Sequence, residues 1–220
     1  MRLIPLKCPQ CGAKLKVTED DVLTLCRHCG LACEMSEDSV IKLEQSLVLC
    51  QGRPDKRLPF WLLSGQIEVS RLEPRAVQNI FLSQPELVAA APKVDRENLS
   101  LPGRVVVAAF AANNFVNYTA DLSHELTVRL EERLPLGPVE GGVDYRTCRY
   151  GHRDARGMAV VLLTLLANRS RRQIMDLDLD VRWGDSRILW WPFAGDGDCW
   201  RDMIYGQRLL QSALPEQQKP

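Results

Sequence analysis

Two copies of one spacing, Cys8-Pro9-Gln10-Cys11 and Cys26-Arg27-His28-Cys29, each followed at once by glycine, constrain this chain more than any other feature. Two residues between cysteines let one tight turn aim both sulfurs at a single ion, about 2.3 Å from each. Gly12 and Gly30 allow the backbone to fold over the sulfurs at positive φ, and Pro9 stiffens the first turn. The fourteen residues between the pairs suit a hairpin. Ala13-Lys14-Leu15-Lys16-Val17 alternates as a strand, Thr18-Glu19-Asp20-Asp21 turns, and Val22-Leu23-Thr24-Leu25 returns. Cys8, Cys11, Cys26 and Cys29 are therefore the candidate ligands of one metal ion. Disulfides or free thiols are the other reading of the same four. Cys33 and His28 stand near enough to substitute, but four thiolates already complete a tetrahedron. Cys33, on a returning strand, is expected to act as a small buried side chain.

Residues 6 to 35 resemble a zinc ribbon, whose hallmark is a Cys-Pro-x-Cys-Gly knuckle followed by a second Cys-x-x-Cys-Gly knuckle. The match covers roughly a seventh of the chain. It implies one structural Zn2+; a rubredoxin-type iron site uses similar knuckles and is the alternative. A closed four-thiolate site has no position for water or substrate, so its expected role is to fold a unit too small for its own core. Cys50, Cys148 and Cys199 are scattered. A framework of four disulfides belongs to small, core-poor secreted chains, whereas the residues after the ribbon are numerous enough to bury a real core.

Charge narrows the partners. The 220 residues carry 28 Lys plus Arg against 28 Asp plus Glu, a formal net charge of zero. A polybasic phosphate-neutralising protein is excluded on that count, and 45% hydrophobic residues exclude an acidic disordered chain. Within the ribbon, Arg2, Lys7, Lys14, Lys16 and Arg27 face Glu19, Asp20, Asp21 and Glu34, and a zinc tetrathiolate adds a net of about minus two. The ribbon has no aromatic residue apart from the imidazole of His28, so nucleic-acid binding is not favoured and a protein partner is expected. No stretch approaches the roughly 18–20 apolar residues that span a bilayer. The N-terminus lacks the apolar core of a signal peptide, and a cytoplasmic protein is expected.

The expected fold class is α+β, a small zinc ribbon followed by a mixed domain with substantial antiparallel sheet. The division reads 1–36 zinc ribbon, 37–57 connecting segment, 58–212 mixed domain and 213–220 tail. Leu58 to Leu63, Ser64-Gly65 and the alternating Gln66 to Ser70 predict a strand with a glycine bend or bulge. Arg71 to Leu82 suits a short helix starting near Pro74. Arg104 to Phe110 predicts a strand buried on both faces. Leu122, Leu126, Leu130 and Leu134 predict a helix capped by Asp121 and stopped by Pro135. Leu136 to Tyr150 reads as loop, and Met158 to Leu166, apolar on all sides, as a buried helix or a strand, the excess of Leu and Ala over β-branched residues favouring helix. Asp176 to Trp183, the turn Gly184-Asp185-Ser186-Arg187 and Ile188 to Phe193 predict a hairpin.

Leu58-Pro59-Phe60-Trp61, Val107-Ala108-Ala109-Phe110 and Trp190-Trp191-Pro192-Phe193 echo one another. With the ribbon they resemble a group of uncharacterised prokaryotic zinc-ribbon proteins; the resemblance spans about half the chain and implies no activity. These segments are expected to pack a core, with an aromatic groove as the alternative. Other chemistry is sparse. Asp176, Asp178 and Asp180 are too far apart along a strand, about 6.6 Å per neighbour, to gather one cation. Gly195-Asp196-Gly197-Asp198 lacks the closing Glu of a calcium loop and reads as a turn. Arg169, Arg171 and Arg172 read as a solvated loop, and His124 as an early-helix residue. Cys148 and His152, with Asp144 or Asp154 as orienter, are the one candidate thiolate–imidazole set. The leading expectation is a non-enzymatic interaction or adaptor protein with a structural zinc ribbon. The alternatives are a nucleic-acid-binding factor and a cysteine-dependent enzyme using Cys148.

Overall fold

The computed structural model describes residues 6–17, 22–36, 39–70, 98–113, 119–130, 134–139, 148–168 and 178–214. In chain order its elements are β1 (Leu23–Leu25), β2 (Ala32–Met35), β3 (Val40–Lys42), β4 (Gln45–Val48), β5 (Lys56–Ser70), β6 (Asn98–Ala108), α1 (Asp121–Val128), β7 (Leu136–Gly137), α2 (His152–Asn168), β8 (Asp178–Asp196), β9 (Cys199–Asp202) and β10 (Arg208–Leu210). The helix expected over Arg71–Leu82 lies outside the described residues. So do the turn at Thr18–Asp21, Asp144, Arg169, Arg171, Arg172 and Asp176.

β5 lies between β6 and β8 and is antiparallel to both along its length. The far edge of β8 takes β4 in parallel at residues 188–190 and β9 antiparallel at 193–196, with β7 beyond β4 and β10 beyond β9. β1, β2 and β3 form a separate antiparallel sheet of three. The α+β class with substantial antiparallel sheet is thus the fold observed.

The large sheet is apolar on both faces because successive side chains alternate and neither parity is polar. One face carries Trp61, Leu63, Val105, Val107, Ile188 and Trp190; Ala155, Ala159, Leu162 and Leu163 of α2 cover it, with Leu23 and Ala32. The other carries Phe60, Val106, Ala108, Leu189, Trp191 and Phe193, beneath Leu122 and Leu126 of α1 and the C-terminal Leu209 and Ala213. The three echoing segments meet here. Phe60 stands opposite Ala108 and Leu189. Its ring lies 5.5 Å from Phe110, 6.0 Å from Trp191 and 6.4 Å from Phe193. None of these rings is more than 1% exposed, so the segments make a core and not a groove.

The hairpin expected at Gly184–Arg187 is not formed. β8 runs unbroken through it, with β5 as partner on both sides. Leu63 pairs with Ser186 and Gly65 with Trp183, so β8 holds one residue more than β5 there. Glycine and aspartate supply the freedom a bulge needs just as they supply a turn. The extra residue lies on β8 and not on β5, so Gly65 stands opposite the bulge, where a Cβ would be 2.7 Å from the Arg182 carbonyl oxygen. The chain reverses later, at Gly197–Asp198, where Gly197 has φ 64°. The turn expected there holds, and Asp196 pairs with Arg201 at 2.7 Å and Arg208 at 3.2 Å.

α1 ends at Val128, short of the expected stop at Pro135, and Asp121 does not cap it. Ala120 is already helical, at φ −67° and ψ −45°, whereas a capping residue must leave the helical region. The helix instead serves the edge of β6. Ser123 Oγ accepts from the Ala108 N–H at 3.0 Å. Thr127 Oγ1 accepts from the Val106 N–H at 3.0 Å and donates to its carbonyl at 3.2 Å. An open strand edge is thereby satisfied and closed to foreign strands. Thr127→Val keeps the shape but strands both Val106 groups in a buried site, and denaturant unfolding should register a loss of about 1–3 kcal/mol. An unchanged midpoint would show that water already serves that edge.

Candidate metal centre

The two knuckles have the same backbone. In the first, the Cys8 N–H donates to the Ala13 carbonyl at 2.8 Å and the Gly12 N–H to Cys8 at 2.9 Å. In the second, the Cys26 N–H donates to Leu31 at 2.8 Å and the Gly30 N–H to Cys26 at 2.8 Å. Gly12 has φ 72° and Gly30 φ 73°. A Cβ at either would meet nothing within 4 Å, so conformation and not space selects glycine there.

Folding the turns alike brings the sulfurs together. All four Sγ atoms lie within 4.8 Å of one another. Cys8 and Cys29 are 3.6 Å apart, and Cys11 and Cys26 are 3.5 Å apart. A tetrahedron with bonds of about 2.3 Å has edges of about 3.8 Å, so the set fits one ion held by four thiolates. Cys8 and Cys26 are buried, while Cys11 and Cys29 lie toward the surface. Burial opposes ionisation of Cys8, yet amide hydrogen bonds from Cys11 and Gln10 and the thiols of Cys29 and Cys11 draw it down to about 6. The Ala13 amide favours the Cys11 thiolate, but burial and the thiols of Cys26, Cys29 and Cys8 push it up to about 12. All four can be thiolates at once only around a cation that offsets their mutual repulsion.

Cys33 sits on β2 with no exposed surface, as expected of a small buried side chain. Burial first, and then the charge of Cys8, push its thiol up to about 12. His28 is exposed. The hairpin differs from expectation: β1 pairs with β2, not with residues 13–17, which contribute one bridge, Lys7 to Lys14. The Thr24 hydroxyl still donates to the Lys16 carbonyl at 2.9 Å.

Side chains that no local motif marked tie the ribbon to the body. Gln45 Nε2 donates to the Gly30 carbonyl at 2.6 Å, and its Oε1 accepts from Trp190 Nε1 at 3.0 Å, linking the second knuckle to the large sheet. Glu34 of β2 is buried at the start of α2. Its Oε1 accepts from the His152 N–H at 2.8 Å and its Oε2 lies 2.7 Å from His152 Nδ1. Asp154 Oδ2 accepts from the Gly151 N–H at 3.1 Å. The two carboxylates divide the work of a capping box, with Glu34 reaching in from the ribbon because Gly151 has no side chain to offer. A Cβ on Gly151 would collide with Glu34 Oε1. Gly151→Ala should therefore destabilise by about 1–3 kcal/mol in denaturant melts by expelling a buried acceptor. Serine there, normally a better cap than glycine, should be no gain; a stabilised Gly151→Ser protein would remove Glu34 from the cap.

The same contacts decide the cysteine set. His152 is engaged with Glu34, Asp154 with Gly151, and Cys148 is 0% exposed, bridged to Leu23 and packed in the core. A thiol without surface offers nothing to a substrate, so Cys148 has a packing role. His124 lies beside Glu125 at 3.4 Å on α1, and Asp180 is exposed on β8. No family model, curated protein or solved structure matches the chain. The likeness to a zinc ribbon therefore rests on the cysteine geometry alone.

Proposed function

We propose that Cys8, Cys11, Cys26 and Cys29 hold one structural Zn2+ and that the protein is a non-enzymatic interaction or adaptor protein. The observation that carries this is the convergence of four sulfurs within 4.8 Å on two matched knuckles. Thiolates favour zinc or iron over hard cations, and a filled tetrahedron has no place for a reacting group. Reduced ligand thiols suit a cytoplasmic setting. Among the described residues no helix is long and apolar enough to cross a membrane.

Nucleic acid is the competing partner. Lys7, Lys14, Lys16 and Arg27 are exposed on the ribbon, but apart from the His28 imidazole no aromatic side chain stands among them for base stacking. Elemental analysis should find one zinc and no iron per chain. Generic DNA and RNA, titrated between about 50 and 200 mM salt, should bind weakly and with a shallow salt slope. Affinity falling by about a thousandfold or more over that range would replace the adaptor reading with a nucleic-acid factor.

A further inference from the structure

The apolar positions of α2 do not all face the sheet, contrary to the fully buried helix its composition suggests. Val161 is 59% exposed and Leu165 52%. With Arg153 and Gly157 they recur every four residues, forming one stripe about 18 Å long. Val107 of β6, Ala120 and Ser123 at the start of α1, Tyr150, and Met158 and Leu162 of α2 line the same groove. The groove so enclosed measures about 530 Å3, inside the range of small-molecule sites, roughly 300–1,000 Å3.

Two details bear on its occupant. Gly157 lies inside a helix, where only proline is less favourable, and a Cβ there would meet nothing within 4 Å. Packing among the described residues does not require glycine at that position; its effect is to keep the middle of the groove open. Among the described lining residues, moreover, charge is confined to one end. The charged lining residues are Arg153 and Asp154, and Asp154 is turned to the Gly151 N–H. Arg153 is exposed and has no ion pair among the described residues. Among the described lining residues, one exposed cation at one end of an otherwise apolar stripe matches one anionic head.

We propose that this groove binds a single-chain anionic amphiphile of the long-chain fatty-acid class, its tail over Gly157, Val161 and Leu165 and its carboxylate on Arg153. No residue of the cysteine ribbon lines the groove, so the proposal stands or falls apart from the metal centre. The test is calorimetric titration of the full, zinc-loaded chain with hexadecanoate below its micelle concentration. Saturable one-to-one binding is expected, weakening about fourfold for each methylene removed from the tail. Gly157→Leu fills the groove while improving helix propensity, and should weaken binding at least tenfold without lowering the melting temperature. Arg153→Gln should weaken the fatty acid several-fold and leave the uncharged alcohol of equal length unaffected. Absence of saturable binding, or binding indifferent to Gly157→Leu, would overturn the proposal and leave the stripe to a protein helix.

Discussion

Purified Cys26→Ser protein is expected to contain no stoichiometric zinc and to melt well below the parent. Serine fills the same space, but it supplies no thiolate, and Cys26 is one of the two buried corners of the cluster. Apparent binding free energies of four-ligand zinc sites, about 10–16 kcal/mol in small peptides at neutral pH, go into folding. The ribbon has little else to fold on: its own core is Cys8, Leu15, Cys26, Leu31 and Cys33. The damage should pass into the body, because Glu34 caps α2 and Gln45 links Gly30 to Trp190. Amide exchange at His152 should therefore quicken when zinc is lost. Acidification should imitate the substitution. The ligands bind as thiolates, so protonation releases the metal as pH falls, and restoring neutral pH with zinc should reverse it. Full zinc retention in the variant would sink the ligand assignment. Zinc loss with unchanged exchange at His152 would separate the ribbon from the helix it is said to hold.

Phe60→Ala should produce the largest loss in the body, about 3–5 kcal/mol from a total of roughly 5–15. Phe60 is 0% exposed and packs against Phe110 of one echoing segment and Trp191 and Phe193 of another. Truncation opens a cavity that three rings on a rigid sheet cannot collapse into. For a chain of this size the melting temperature should fall by roughly 6–20 °C. An aromatic groove would respond otherwise, since an exposed ring can be removed within about half a kcal/mol. A near-neutral Phe60→Ala would return the segments to that reading.

Features that depend on a few consecutive residues are legible in the order of the residues alone. The knuckles follow from Cys-x-x-Cys-Gly because the turn, the positive φ of Gly12 and Gly30 and the sulfur directions are set within each short stretch. The strand through Val105, Val106 and Val107 and the helix at Met158 were legible for the same reason. Packing takes over where a distant partner outweighs a local preference. Gly184-Asp185 favours a turn by an amount smaller than the pairing that β5 supplies on both sides, so the chain stays extended and the residues become a bulge. Asp202, an unremarkable acid in the sequence, is buried and accepts from Trp191 Nε1 at 2.7 Å and from the amides of Ile204, Tyr205 and Gln207. Glu34 and His152 stand 118 positions apart, and no spacing rule connects them. Burying a carboxylate beside a helix start is favourable only once both elements are in place, and that condition is met by packing and not by any local run of residues.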